Sequence, residues 1–185
     1  MQVTVSSEDV LDPRFWARPT PTRHGDIDVD DIYVAVGRAL SEWSMVEIAL
    51  GRLYAVLEGA APQAAWSIYA AGRDLPARHA RLSEAARNRF IDGDGEDGVT
   101  CRRVIEAAGV AAQRREDVVH GIAVLFRPGA LDGSYLVPTG FTASDSNVPD
   151  YAYTAAQLTA LRGQFGRLQD EINVLVLKLQ VAHGR

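Results

Sequence analysis

Seven large apolar side chains, Leu158, Leu161, Phe165, Leu168, Ile172, Leu175 and Leu179, are separated by alternating steps of three and four residues. That spacing marks one face of an α-helix sustained over three heptads. The segment from 172 to 179 also alternates like a strand, but its length and the continuous heptad favour a helix. So long an apolar face has to be covered by other helices, which points to a bundle.

Two further stripes supply the partners. Val36, Leu40, Trp43, Glu47, Leu50, Tyr54 and Leu57 repeat at four and three. They predict a helix over 29 to 57, capped by Asp28, started by Asp30 and Asp31, and stopped by Gly59. Cys101, Val104, Ala108, Ala111, Arg115 and Val118 predict another over 99 to 119, ended by Gly121. Each stripe carries one charge, Glu47 in the first and Arg115 in the second. Shorter helices are expected over 62 to 71, with proline in its first turn, and over 76 to 90. Residues 122 to 127 and 134 to 137 predict a hairpin. Thr154 and Gln157 form a capping box before the last helix. The fold class is therefore mainly α: an antiparallel bundle of about five helices with one small β-hairpin. Residues 1 to 28 hold three prolines and are expected as an extended arm tacked down by Leu11, Phe15 and Trp16. Residues 29 to 185 form the single domain.

Composition narrows the function. A net charge of −5 argues against coating nucleic acid by bulk charge, although a local basic cleft is compatible with it. The lone cysteine, Cys101, rules out an intramolecular disulfide and argues against a cysteine-based zinc site. No ligand set for a metal or cofactor is visible, and the acidic loop 92 to 98 fails the calcium-loop pattern at its glycine and final glutamate positions. No secretory signal and no membrane-length apolar run are seen, so a cytoplasmic protein with no membrane partner is expected.

The run Arg114-Arg115-Glu116-Asp117-Val118-Val119-His120-Gly121 carries the strongest chemical signal. A histidine can move a proton near neutral pH, and an arginine can hold a phosphate and stabilise growing negative charge. At 100° per residue the two are about 140° apart on a continuing helix, so they border one cleft at its end without stacking. Arg114 gives an alternative spacing to His120, from a position expected to be exposed. Arg73, Arg78, Arg81, Arg87 and Arg89 could offer a track for phosphates or simply a solvated face. His79 is expected to be partly buried.

This run resembles the Arg-x4-6-His motif of the HEPN superfamily of helical nucleotide- and RNA-associated domains, many of which carry Arg-Asn-x-x-x-His-Gly at a helix end. The likeness spans roughly 29 to 182, and only the motif is specific. Glu116 stands where that family usually has Asn, Asp or His. The resemblance implies a metal-independent endoribonuclease acting at a homodimer interface, with RNA as substrate, no cofactor, and a role in toxin–antitoxin or antiviral defence with an antitoxin protein as partner. Arg115 and His120 would be catalytic, supported by Glu47, Glu116 and Arg114. The alternative is a non-catalytic dimerisation or interaction module in which Arg115 pairs structurally with Glu47 across the helix interface.

Overall fold

The computed structural model describes residues 7–91, 95–127, 129–141 and 148–182. Its elements are α1 (Ser7–Val10), a 3-10 turn (Pro13–Trp16), α2 (Val29–Glu58), α3 (Pro62–Ala70), α4 (Leu75–Arg89), α5 (Glu96–Val119), β1 (Gly121–Phe126), β2 (Gly133–Pro138) and α6 (Ala155–Ala182). The protein is a mainly α bundle with a small antiparallel hairpin, as the stripes require.

Local chemistry sets the boundaries. Asp28 accepts from the Asp30 amide at 2.9 Å, and Gly59 closes α2 in the left-handed conformation at φ 63°. Asp74 accepts from the Ala77 amide at 2.8 Å to open α4. The capping box forms: the Gln157 amide donates to Thr154 Oγ1 at 3.2 Å, and the Thr154 amide donates to Gln157 Oε1 at 2.8 Å. α5 begins at Glu96, three residues before the expected start, because Glu96 and Asp97 suit the positive end of the helix and also pair with Lys178 of α6. Of the acidic loop, residues 92–94 lie outside the described residues, as do 142–147 of the polar loop before α6.

α2 and α6 form the main interface. The Trp43 and Phe165 rings meet edge to face at 5.2 Å, Glu42 pairs with Arg162, and the segment around Arg52 and Val56 lies beside Asn173 and Leu177. Positions advance together, so these two helices run parallel. The antiparallel relation belongs to α5, whose start meets the end of α6 and whose His79 contact at Ile105 runs against the direction of α4. The buried face of α2 is centred on Ile32, Ala35, Ala39, Trp43, Val46, Leu50, Leu53 and Leu57. It is turned by about one residue from the expected stripe. Alanines at 35, 39 and 49 allow close approach, which leaves Val36, Leu40 and Glu47 at the flank.

The expected extended arm is only partly extended: it contains α1 and the 3-10 turn, the latter capped by Asp12 and led by Pro13. Its anchor is Trp16, fully buried, stacked on Phe165 at 5.9 Å and donating Nε1 to the Val10 carbonyl at 3.0 Å. Leu11 and Phe15 pack against the same core. Beyond it, Asp26 bridges Ser134 of β2 and its carboxylate accepts from the Ala155 amide at 2.7 Å, joining the arm, the hairpin and the start of α6.

Candidate functional site

α5 ends at Val119 with His120 as its C-cap, and Gly121 starts β1. Gly121 is not a left-handed helix stop. A Cβ there would meet Leu136 at 2.6 Å and the Asp117 carbonyl at 2.8 Å, so close packing at the helix-to-strand corner requires glycine.

Glu116 joins the two residues of the motif. Its Oε1 accepts from Arg115 Nη1 at 2.5 Å, and its Oε2 lies 3.0 Å from His120 Nε2. One carboxylate therefore bridges guanidinium and imidazole: His120, four positions on, shares its helix face, and the long Arg115 side chain reaches it from the neighbouring position. The Arg115 side chain is half-buried, whereas the His120 side chain is 70% exposed. Thr139 donates its hydroxyl to the His120 carbonyl and ties the motif to the end of β2. Arg115 Nε is buried and makes no hydrogen bond.

A groove of about 790 Å³ opens beside this set between α4 and α5. Arg73, Arg78, Arg115, Glu47 and Glu116 line it over a floor that includes Gly109 and Ala112. His120 stands outside that lining. The expected Glu47–Arg115 pair does not form. Glu47 Oε1 instead accepts from Arg78 Nη1 at 2.6 Å, while Arg115 turns to Glu116. The reason is the rotation of the α2 face: Glu47 lies at its flank, where α4 presents Arg78, itself held by the Gly72 carbonyl at 3.1 Å. Tyr69, buried nearby, has its phenol pushed well up, first by burial and then by the Glu47 charge. Of the basic segment, Arg73, Arg87 and Arg89 are exposed, Arg78 is bound to Glu47, and Arg81 donates to the Ile68 carbonyl. His79 is half-buried, with Nε2 donating to the Ile105 carbonyl at 2.7 Å.

Arg114 is corrected from exposed to buried. Only 8% of it is accessible, and it forms an ion pair with Asp117 at 3.4 Å. Asp117, also buried, is the centre of a cluster that the sequence did not single out. Arg18 of the arm donates Nη2 and Nε to its two oxygens at 2.7 and 3.0 Å, a bidentate fork. Tyr153 donates its hydroxyl to Oδ2 at 3.1 Å, and Tyr151 donates to the Asp117 carbonyl at 3.2 Å. The Arg18 guanidinium lies 4.9 Å over the Tyr151 ring. Burial, followed by the Asp117 charge, drives the Tyr153 phenol well above its ordinary value, and the Asp117 hydrogen bond raises Arg18. The available signal was Arg114-x-x-Asp117 at helical spacing, with tyrosines at 151 and 153. Asp117 gathers Arg18, Arg114 and Tyr153 on its carboxylate and Tyr151 on its carbonyl, so the cluster braces the helix end and leaves the outward face of the same turn to Arg115, Glu116 and His120.

Among the described residues, no group of three or more His, Cys, Asp or Glu side chains is placed to hold a metal ion, and no helix is long and apolar enough to cross a membrane. No family model, curated protein or solved structure matches this chain.

Proposed function

We propose that this chain is a metal-independent endoribonuclease of the HEPN type. The observation that carries the reading is the shared Glu116 carboxylate: Arg115 and His120 both bind one oxyanion, so both lie within reach of a phosphate. The groove alongside, lined by Arg73, Arg78 and Arg115 with Glu47, Asp74 and Glu116, provides room for the flanking backbone and one exposed cation, Arg73.

In the reaction, His120 takes the proton of a ribose 2′-hydroxyl. The 2′-oxygen attacks phosphorus, the bond to the 5′-oxygen breaks, and the proton taken by His120 returns through water to that leaving oxygen. The products are a 2′,3′-cyclic phosphate and a 5′-hydroxyl. Arg115 holds the scissile phosphate and offsets the charge that grows on its oxygens. Its five N–H donors allow it to keep Glu116 while binding phosphate. A homodimer would set two such exposed histidines across one cleft, in the cytoplasm, with an antitoxin protein as the restraining partner.

The test is cleavage of a labelled RNA in EDTA. Wild-type protein should leave cyclic-phosphate ends. Arg115→Ala and His120→Ala should each lower the rate by roughly 100-fold or more, with His120→Ala keeping wild-type stability because its side chain is exposed. An unchanged rate in His120→Ala removes the catalytic reading. One observation favours a second: Glu116 already neutralises Arg115 and engages His120, as in a closed surface ion-pair network of a non-catalytic interaction module. Intact RNA with wild-type protein, together with self-association, would support that reading.

A further inference from the structure

A large concavity lies at the other end of the bundle, between the C-terminal parts of α2 and α6 and the end of α4. Its volume is about 920 Å³, within the range of small-molecule sites. Lys178, in the α6 segment beside it, pairs with Glu96 and Asp97 at the start of α5. Arg115 is about 28 Å further along that helix at 1.5 Å per residue. This groove is thus separate from the Arg115–Glu116–His120 set and does not depend on the function proposed for it.

Its walls are largely apolar, with Asn173 and Gln180 as the uncharged polar side chains among them. Ala55, Val176 and Leu179 form buried parts of the lining, and Val56, Pro62 and Leu177 continue it outward. Val174, Leu177 and Val181 extend the α6 side as an exposed aliphatic row at helical spacing, each 60% accessible or more. Two cations stand at the groove, Arg52 from α2 and Arg89 from α4. Both are exposed, and neither makes a hydrogen bond or ion pair among the described residues. Among the described residues, no carboxylate lines the groove. Two guanidinium groups thus stand on a largely apolar trough without an acidic partner among the described residues, in a chain of net charge −5.

The charge pattern defines the occupant. A small inorganic anion would leave the aliphatic walls uncovered. A cationic amphiphile would meet Arg52 and Arg89 with like charge. A carboxylate head on a hydrocarbon chain satisfies both: a guanidinium fork matches a carboxylate, and the chain removes the trough and the adjoining aliphatic row from water. We propose that this groove binds a free acyl carboxylate of the fatty-acid class, with its head between Arg52 and Arg89 and its chain along α6.

Titration calorimetry with dodecanoate, below its micelle concentration, tests the proposal on the full chain. Saturable one-site binding is expected, weakening about tenfold for decanoate because two buried methylenes are lost. Arg52→Gln/Arg89→Gln and, separately, Leu177→Asp should each weaken dodecanoate at least tenfold. All three positions are exposed, so melting temperatures should stay at the wild-type value and loss of binding will not reflect unfolding. Dodecyltrimethylammonium should not bind. Equal binding of the cationic amphiphile, unchanged affinity in the double arginine variant, or absence of saturable heat would each overturn the proposal. Co-sedimentation with anionic vesicles without dodecanoate binding would likewise overturn it, in favour of a membrane surface.

Discussion

Replacing Asp117 tests whether the inward-facing cluster holds the end of α5. Asp117 is 6% accessible and serves Arg18, Arg114 and the Tyr153 hydroxyl together. Arg114 is almost as deeply buried, so Asp117→Ala would leave its charge unpaired in the interior. Breaking a buried pair from one side costs about 3–5 kcal/mol. The Arg18 arm of the cluster is 43% exposed on its side chain and screened by water, so Arg18→Ala alone should cost only about 1 kcal/mol. Asp117→Asn keeps the shape and one acceptor and should fall between the two. Against a total stability of about 5–15 kcal/mol for a domain of this kind, the alanine variant could be largely unfolded, so the asparagine variant carries the measurement. The assay is urea unfolding followed by helix signal in a double-mutant cycle of Arg18→Ala and Asp117→Asn. The arginine change should cost much less on top of Asp117→Asn than in wild type. An equal cost in both backgrounds would show that the observed fork contributes nothing, and a loss below about 1 kcal/mol for Asp117→Ala would refute the burial argument.

Further outcomes follow from neighbouring parts of the molecule. Glu47→Gln and Arg78→Ala should couple by about 1 kcal/mol in a stability cycle, whereas Glu47→Gln and Arg115→Ala should add within about 0.5 kcal/mol. Strong coupling of the second pair would contradict the observed partners. Burial raises the Cys101 thiol from 9.0 to about 11. The unfolded chain then loses this proton first as pH rises, so the stabilisation is complete below pH 9 and disappears towards pH 11, by about 3 kcal/mol. Urea unfolding of Cys101→Ala should lack that part of the alkaline slope; identical slopes from pH 9 to pH 11 would refute it.

Helix positions were legible because large apolar residues repeat at three and four, and because caps such as Asp28, Gly59 and the Thr154–Gln157 box act locally. The facing of each helix was less legible. After Ala111, positions 114 and 115 lie three and four residues on, and an apolar stripe admits either; packing places Arg114 inside and Arg115 at the groove. A separate one-residue rotation of the α2 face placed Glu47 at the flank beside Arg78. Asp117 was hidden for a different reason. Two of its partners, Arg18 and Tyr153, are 99 and 36 residues away, so the local Arg114-x-x-Asp117 spacing alone does not show that the carboxylate faces inward. Glu116 was legible as a carboxylate beside the motif, but its role as a bridge depends on side-chain reach at the helix end.

The parallel pairing of α2 with α6 has a consequence for biosynthesis. Glu42 waits for Arg162, 120 residues downstream, and at about 5–20 residues per second translation takes roughly 6–24 s to deliver it. Throughout that interval the Trp43 face of the nascent chain lacks its Phe165 cover, so the main helix interface cannot close until α6 has been synthesised.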